Sequence, residues 1–206
     1  WPYSSGMPGQ WMSHQIDTVH WFSGLAHPRS VVANGGIYMW KDGRINWDTT
    51  TAVFDYGPEN DAKSGFQVIF SSRMHNGDER PAELYFSNGG ELNLITNKVS
   101  PAGGLRKNHA DAMKMQPNLL PEMDLVAEKI EVAASANTGG DPLTSAHMRN
   151  WMECTRSRKQ PNAPVEAGYN HSIATIMTNA AVRTGGKAVF DSNTKQVLVD
   201  GKVFKY

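Results

Sequence analysis

Apolar residues first recur at helical spacing at Met12, Ile16, Val19 and Phe22, and Gly24 follows as a stop. That pattern predicts a helix over about 11–24, after a loop crowded with Pro2, Gly6, Pro8 and Gly9. The period then changes to two. Strands are predicted at 30–38, with Gly35-Gly36 breaking or bulging the first, and at 49–56, 65–73, 82–86 and 91–96. Turn signals separate them: Asp42-Gly43, His75-Asn76-Gly77-Asp78 and Asn88-Gly89-Gly90. Strands joined by short turns pair antiparallel. Residues 98–123 carry Pro101, Gly103, Gly104, Pro117 and Pro121 and read as a long loop, with one more short strand at 129–134.

Two helices follow. Residues 145–158 place Met148, Trp151, Met152 and Thr155 along one side, and Arg149 and Glu153 pair at i, i+4. Residues 167–184 place Tyr169, Ile173, Ile176 and Ala180 along another, with Gly185 as the C-terminal cap. Strands at 187–190, 195–199 and 202–206 close the chain, with Asp200-Gly201 as a hairpin signal. The order predicts an α+β domain spanning 1–206: a large, mostly antiparallel open sheet with helices packed on one face. The other face needs a cover, and a partner subunit is the simplest one.

Composition narrows the function. Twenty basic residues balance twenty acidic ones, so the electrostatic footprint of a nucleic-acid binder is absent. No apolar run approaches the roughly 18 residues of a membrane span. The one cysteine, Cys154, rules out an intrachain disulfide and reads as a small buried hydrophobe. A single thiol suits a reducing compartment, and a cytoplasmic location is expected. The start, Trp1-Pro2-Tyr3, is neither an initiator methionine nor a signal peptide, and the chain reads as a fragment or as a processed or partly ordered product. No G-x-G-x-x-G, P-loop or G-x-S-x-G occurs, so no nucleotide site or nucleophile elbow is visible.

The densest polar cluster runs from Gln10 to Trp21. At about 100° per residue, His14, Asp17 and Trp21 share one helix face, with His20 at its margin. Three roles are open. His14 can act as a general acid/base on a substrate hydroxyl. His14, Asp17 and His20 can ligate a metal. Or both histidines are partly buried and hydrogen-bonded, with Asp17 a helix-start acid. His109, in the basic run Arg106-Lys107-Asn108-His109, either closes over a site or is an exposed loop histidine. Six tryptophans suit either the core or an aromatic wall for sugar rings.

The run Gly9-Gln10-Trp11-Met12-Ser13-His14-Gln15-Ile16-Asp17-Thr18-Val19-His20-Trp21 resembles the start of the C-terminal domain of the Gfo/Idh/MocA oxidoreductase family. Asp42-Gly43-Arg44 ahead of Thr49–Tyr56 resembles the family's strand pair. Asn150-Trp151-Met152-Glu153-Cys154-Thr155-Arg156-Ser157-Arg158-Lys159-Gln160-Pro161-Asn162-Ala163 is similar to its characteristic helix end, and Val165-Glu166-Ala167-Gly168 to the opening of its final helix. The resemblance implies the substrate-binding and oligomerisation half of an NAD- or NADP-dependent sugar or cyclitol oxidoreductase, inactive alone. The cofactor would sit in a missing N-terminal Rossmann domain and would not be bound by this chain alone. Homo-oligomers would form through the open sheet face. His14 matches the family's catalytic histidine and Asp17 the acid that follows it, with a more structural role. The family's catalytic aspartate, four residues before the histidine, is here Gln10, which hydrogen-bonds but carries no proton. Gln10, Trp11, Asp17, Arg106, Lys107 and His109 would line the substrate. That departure leaves two alternatives: a carbohydrate-binding or scaffolding module with a decayed site, and redox-assisted glycoside cleavage.

Overall fold

The computed structural model describes residues 3–61, 63–75, 77, 82–125 and 142–205. The strand expected at 129–134 lies outside them. The chain forms two compact units, Trp1–Gly77 with Gln160–Tyr206, and Asp78–Lys159. Both are built from antiparallel sheet and helix, an α+β class.

In the first unit a π-helical turn, Pro8–Met12, runs directly into α1 (Ser13–Ser23). Strands β1 (Ser30–Gly36), β2 (Thr49–Tyr56) and β3 (Phe66–Arg73) form a meander. In the second unit lie β4 (Leu84–Ser87), β5 (Gly90–Asn93), β6 (Lys98–Ser100), α2 (Lys107–Met113), β7 (Met123–Asp124) and α3 (Pro142–Ser157). The first unit is completed by α4 (Val165–Thr184), β8 (Ala188–Asp191), β9 (Gln196–Val199) and β10 (Lys202–Val203). Its six-stranded sheet has the order β10-β9-β8-β1-β2-β3, and the second unit's four-stranded sheet has the order β4-β5-β6-β7. Every pairing among the described residues is antiparallel.

Alternation along β2 sets the layers. Thr50, Ala52, Phe54 and Tyr56 are buried, and the residues between them are half-exposed. Helix α4 packs on β1, β8 and β9, and α1 packs on α4, so both helices cover one face. Small residues at Ala174, Ala180 and Ala181 let α4 approach closely, and Met12, Ile16 and Met177 fill the space between the layers. The predicted caps are in place: Gly24 and Gly185 take the left-handed conformation (φ 69° and 73°) that ends each helix. The opposite face stays open. Val32, Val53 and Ile69 form one cross-strand row on it, with Val32 45% and Ile69 70% exposed.

The structure departs from the sequence expectation in four places. Gly35 and Gly36 neither break nor bulge β1; they pair in register with Thr50 and Thr49. Their role is close approach, because a Cβ on Gly35 would lie 2.1 Å from the Thr49 carbonyl oxygen. The strands expected in one meander divide between two sheets. The loop expected over 98–123 contains β6, α2 and β7; Arg106 is extended, a Lys107–Asp111 ion pair of 2.7 Å spans the helical turn, and Lys114 ends it in the left-handed region. Finally, Cys154, expected as a small buried hydrophobe, is only half-buried, with Asn150 Nδ2 3.8 Å from its sulfur, and Met148, Trp151 and Met152 on the same helix are exposed. The Arg149–Glu153 pair forms at 3.8 Å. Among the described residues no helix is long and apolar enough to cross a membrane.

Candidate functional site

The π-helical turn and the first two turns of α1 carry the sequence cluster. The apolar stripe Met12, Ile16 and Val19 faces the core. That leaves Gln10, Trp11, His14, Asp17 and Trp21 exposed on the outer side. A π turn is uncommon and concentrates at functional sites, and this one carries both Gln10 and Trp11. It is locked by packing: a Cβ on Gly9 would collide with the Ser5 side chain at 1.7 Å, so glycine is required there.

The neighbouring hydroxyls are used internally. Ser13 Oγ donates to the Gly9 carbonyl at 3.0 Å and Thr18 Oγ1 to the His14 carbonyl at 3.4 Å. His14 is exposed and, among the described residues, makes no side-chain hydrogen bond, which leaves its imidazole available to a ligand. Asp17 lies one turn on, and its Oδ1 is 3.6 Å from Nδ1 of His171 on α4. His171 Nδ1 is buried without a hydrogen-bond partner among the described residues and faces the Asp17 carboxylate. The sequence does not mark His171 as part of this cluster. The signal for it was weak: only the packing of α1 on α4 brings the two together.

His20 points the other way. It is buried, its Nε2 is 2.9 Å from the Tyr56 hydroxyl, and its ring meets Tyr56 edge-on. Burial pushes its pKa down to about 4, against the smaller opposing pull of Asp17 and with the support of His171 and His27. His20 is therefore neutral and structural. A metal site of His14, Asp17 and His20 is overturned, because the third ligand sits in the core. Among the described residues no three His, Cys, Asp or Glu side chains converge to hold a metal. Tyr56 is likewise held in its phenol form, its pKa raised by burial.

Arg106, Lys107 and His109 belong to the second unit, at the exposed start of α2 rather than in a loop. Lys107 is engaged by Asp111. The tryptophans divide more sharply than their number suggested. Trp11, Trp21, Trp40 and Trp151 are exposed and Trp47 is half-buried, so no described tryptophan is a core residue. Two of them flank His14 in sequence, Trp11 on the π-helical turn and Trp21 on α1.

The described residues form no Rossmann crevice. Every strand pairing is antiparallel, so no parallel βαβ crevice exists among them to receive a pyrophosphate. No protein-family model matches the chain, and no curated protein does. Among solved structures it is similar to a probable dehydrogenase from Thermotoga maritima, at 14% identity and a TM-score of 0.47, over 90% of this chain and 49% of that one. The chain thus spans about half the length of that neighbour.

Proposed function

We propose that this chain is the substrate-binding half of an oxidoreductase acting on a sugar or cyclitol, with His14 as the group that takes the proton of the reacting hydroxyl. The observation that supports it best is the exposed face of α1, where an unengaged imidazole stands between two exposed tryptophans. Imidazole titrates near neutral pH and suits proton transfer at a hydroxyl. Indole faces suit the apolar C–H side of a sugar ring. Gln10 offers an amide to a neighbouring hydroxyl without moving a proton. Asp17 and His171 form a pair that steadies α1 against α4 at the turn after His14. NAD or NADP, the hydride acceptor in this reading, would be held by a dinucleotide-binding domain elsewhere in the protein.

The protein carrying this chain together with such a domain is expected to reduce NAD or NADP in the presence of its sugar. Assaying a sugar and cyclitol panel by nicotinamide absorbance checks this. Sugar binding with no nicotinamide reduction, unchanged by cofactor, would instead favour the second reading. That reading is a sugar-binding module with a decayed site, and the glutamine at position 10 is what favours it.

The same proposal assigns the open sheet face to self-association. The row Val32, Val53 and Ile69 is the apolar strip that a second copy would cover. Ile69→Lys places a charge at its most exposed position, on the edge strand β3, and is expected to yield monomers by sedimentation while leaving the fold intact. An unchanged oligomer, or a wild-type monomer at high concentration, would remove this assignment.

A further inference from the structure

The connection between β1 and β2 is held more firmly than an exposed loop requires. Asp48 is fully buried at its base. Its carboxylate accepts the backbone N–H groups of Tyr38 (3.0 Å), Met39 (2.8 Å) and Trp40 (2.9 Å), and the Thr49 hydroxyl at 3.1 Å. Desolvation opposes its charge, but these donors outweigh it and hold the carboxyl below its usual range. The Trp40 indole N–H donates to the Met74 carbonyl at 3.2 Å. Arg44 lies over the same indole, 5.5 Å from its centre, with its guanidinium fixed by Asp42 at 2.9 and 2.6 Å. Backbone and indole are thus fixed in place, yet the large apolar side chains point outward, from 44% exposed at Trp40 to 64% at Tyr38. Met39 and Ile45 are exposed as well.

The rim decides what this surface fits. Asp42 and Arg44 neutralise each other, and the Lys41 ammonium donates to the Ile37 carbonyl, so a phosphate or polyanion finds little unpaired charge. A protein partner needs about 20–30 residues a side, more than one connection between two strands supplies. A sugar ring matches: its C–H face stacks on an aromatic ring, and its hydroxyl edge meets a carboxylate and a guanidinium already oriented. The connection also adjoins the segment leading to Gln10 and Trp11, since the Asn46 side chain packs against Gly6 with 3.6 Å to the position of a Cβ there.

We propose that Tyr38 and Trp40, with Asp42 and Arg44, form a second sugar-ring platform, so that the ligand class is a saccharide of more than one ring. This rests on the sugar class of the reading above and not on hydride transfer. The test uses the chain without cofactor. Cellotetraose and maltotetraose are titrated while the Trp40 indole N–H resonance is followed, assigned by its loss in Trp40→Phe. A saturable shift is expected with at least one of them. By calorimetry, Trp40→Phe is expected to keep binding and Trp40→Ala to weaken it about tenfold, the size of one stacking contact. Absence of a shift with both sugars, or equal affinity in Trp40→Ala, overturns the platform. A resonance that moves with protein concentration instead marks a contact between copies and overturns it too. Because no nicotinamide is present, either failure leaves the role of His14 standing.

Discussion

If the proposed role holds, replacing His14 by alanine in a protein that joins this chain to a dinucleotide-binding domain is expected to lower turnover by about 10²–10⁴, the contribution of a positioned acid–base group. That corresponds to roughly 3–5 kcal/mol of transition-state stabilisation. The loss should fall on kcat more than on KM, because the proton moves only as the reaction proceeds while Gln10, Trp11 and Trp21 still meet the substrate. The fold gives this experiment a clean control. His14 is exposed and makes no side-chain hydrogen bond among the described residues, and alanine is a better helix former, so thermal stability should be unchanged or slightly higher. Asp17→Asn should cost less, since Asp17 faces His171 across the helix pair rather than solvent alone. If His14→Ala turns over at the wild-type rate, the imidazole is not the base and the α1 face is a binding surface. If it unfolds, the assignment of His14 to the solvent side of α1 fails with it.

The sequence was most readable where one periodicity dominates. Val53, Asp55 and their buried neighbours alternate so regularly that β2 follows from the pattern alone, and Gly24 and Gly185 mark their helix ends because only a left-handed residue can occupy them. Pairing partners were less readable. Short turns predict that neighbouring strands pair, but nothing local to β3 or β4 states that β3 is an edge and that β4 starts another sheet. Glycines misled for a related reason: Gly35 is fixed by the Thr49 carbonyl across the sheet, which no one-dimensional pattern contains. The 98–123 segment hid α2 because prolines and glycines around it outvote a helix of two turns.

The candidate site divided the same way. His14 and His20 lie six residues apart on the same helix. Burial separates them, because His20 falls beside Val19 on the stripe that meets Tyr56. Asp17 was legible as a neighbour of His14, one turn away. His171 was not, because its meeting with Asp17 depends on how α4 crosses α1. The tryptophans were equally ambiguous until their exposure was known: large rings serve core and ligand alike, and here the core is filled by Phe54, Met12, Met177 and small residues instead.

The inward turn of His20 carries the second large effect, an acid-sensitive fold. Its pKa is near 4 in the folded protein because burial disfavours the imidazolium, and near 6.5 once unfolded. Between those values the unfolded chain binds a proton that the folded chain does not, so stability falls as pH drops from about 6.5 towards 4. Two to three pH units of difference amount to roughly 3 kcal/mol, a large share of the stability of an ordinary domain. The shielded carboxylates act in a lower window. Asp48, Asp55, Asp61 and Asp191 have pKa values held below the ordinary value by hydrogen-bond donors, so their stabilisation is lost only below about pH 4. The test is urea denaturation from pH 7 to 4.5 of the wild type and of His20→Gln. Glutamine can still pair with the Tyr56 hydroxyl but cannot take up a proton. The wild-type curve should fall steeply below pH 6.5, and the variant, whatever its stability at pH 7, should stay nearly flat. Parallel curves would mean that His20 is charged in the folded protein, or that water reaches its Nδ1, and the packing of α1 against β2 would then have to be drawn differently.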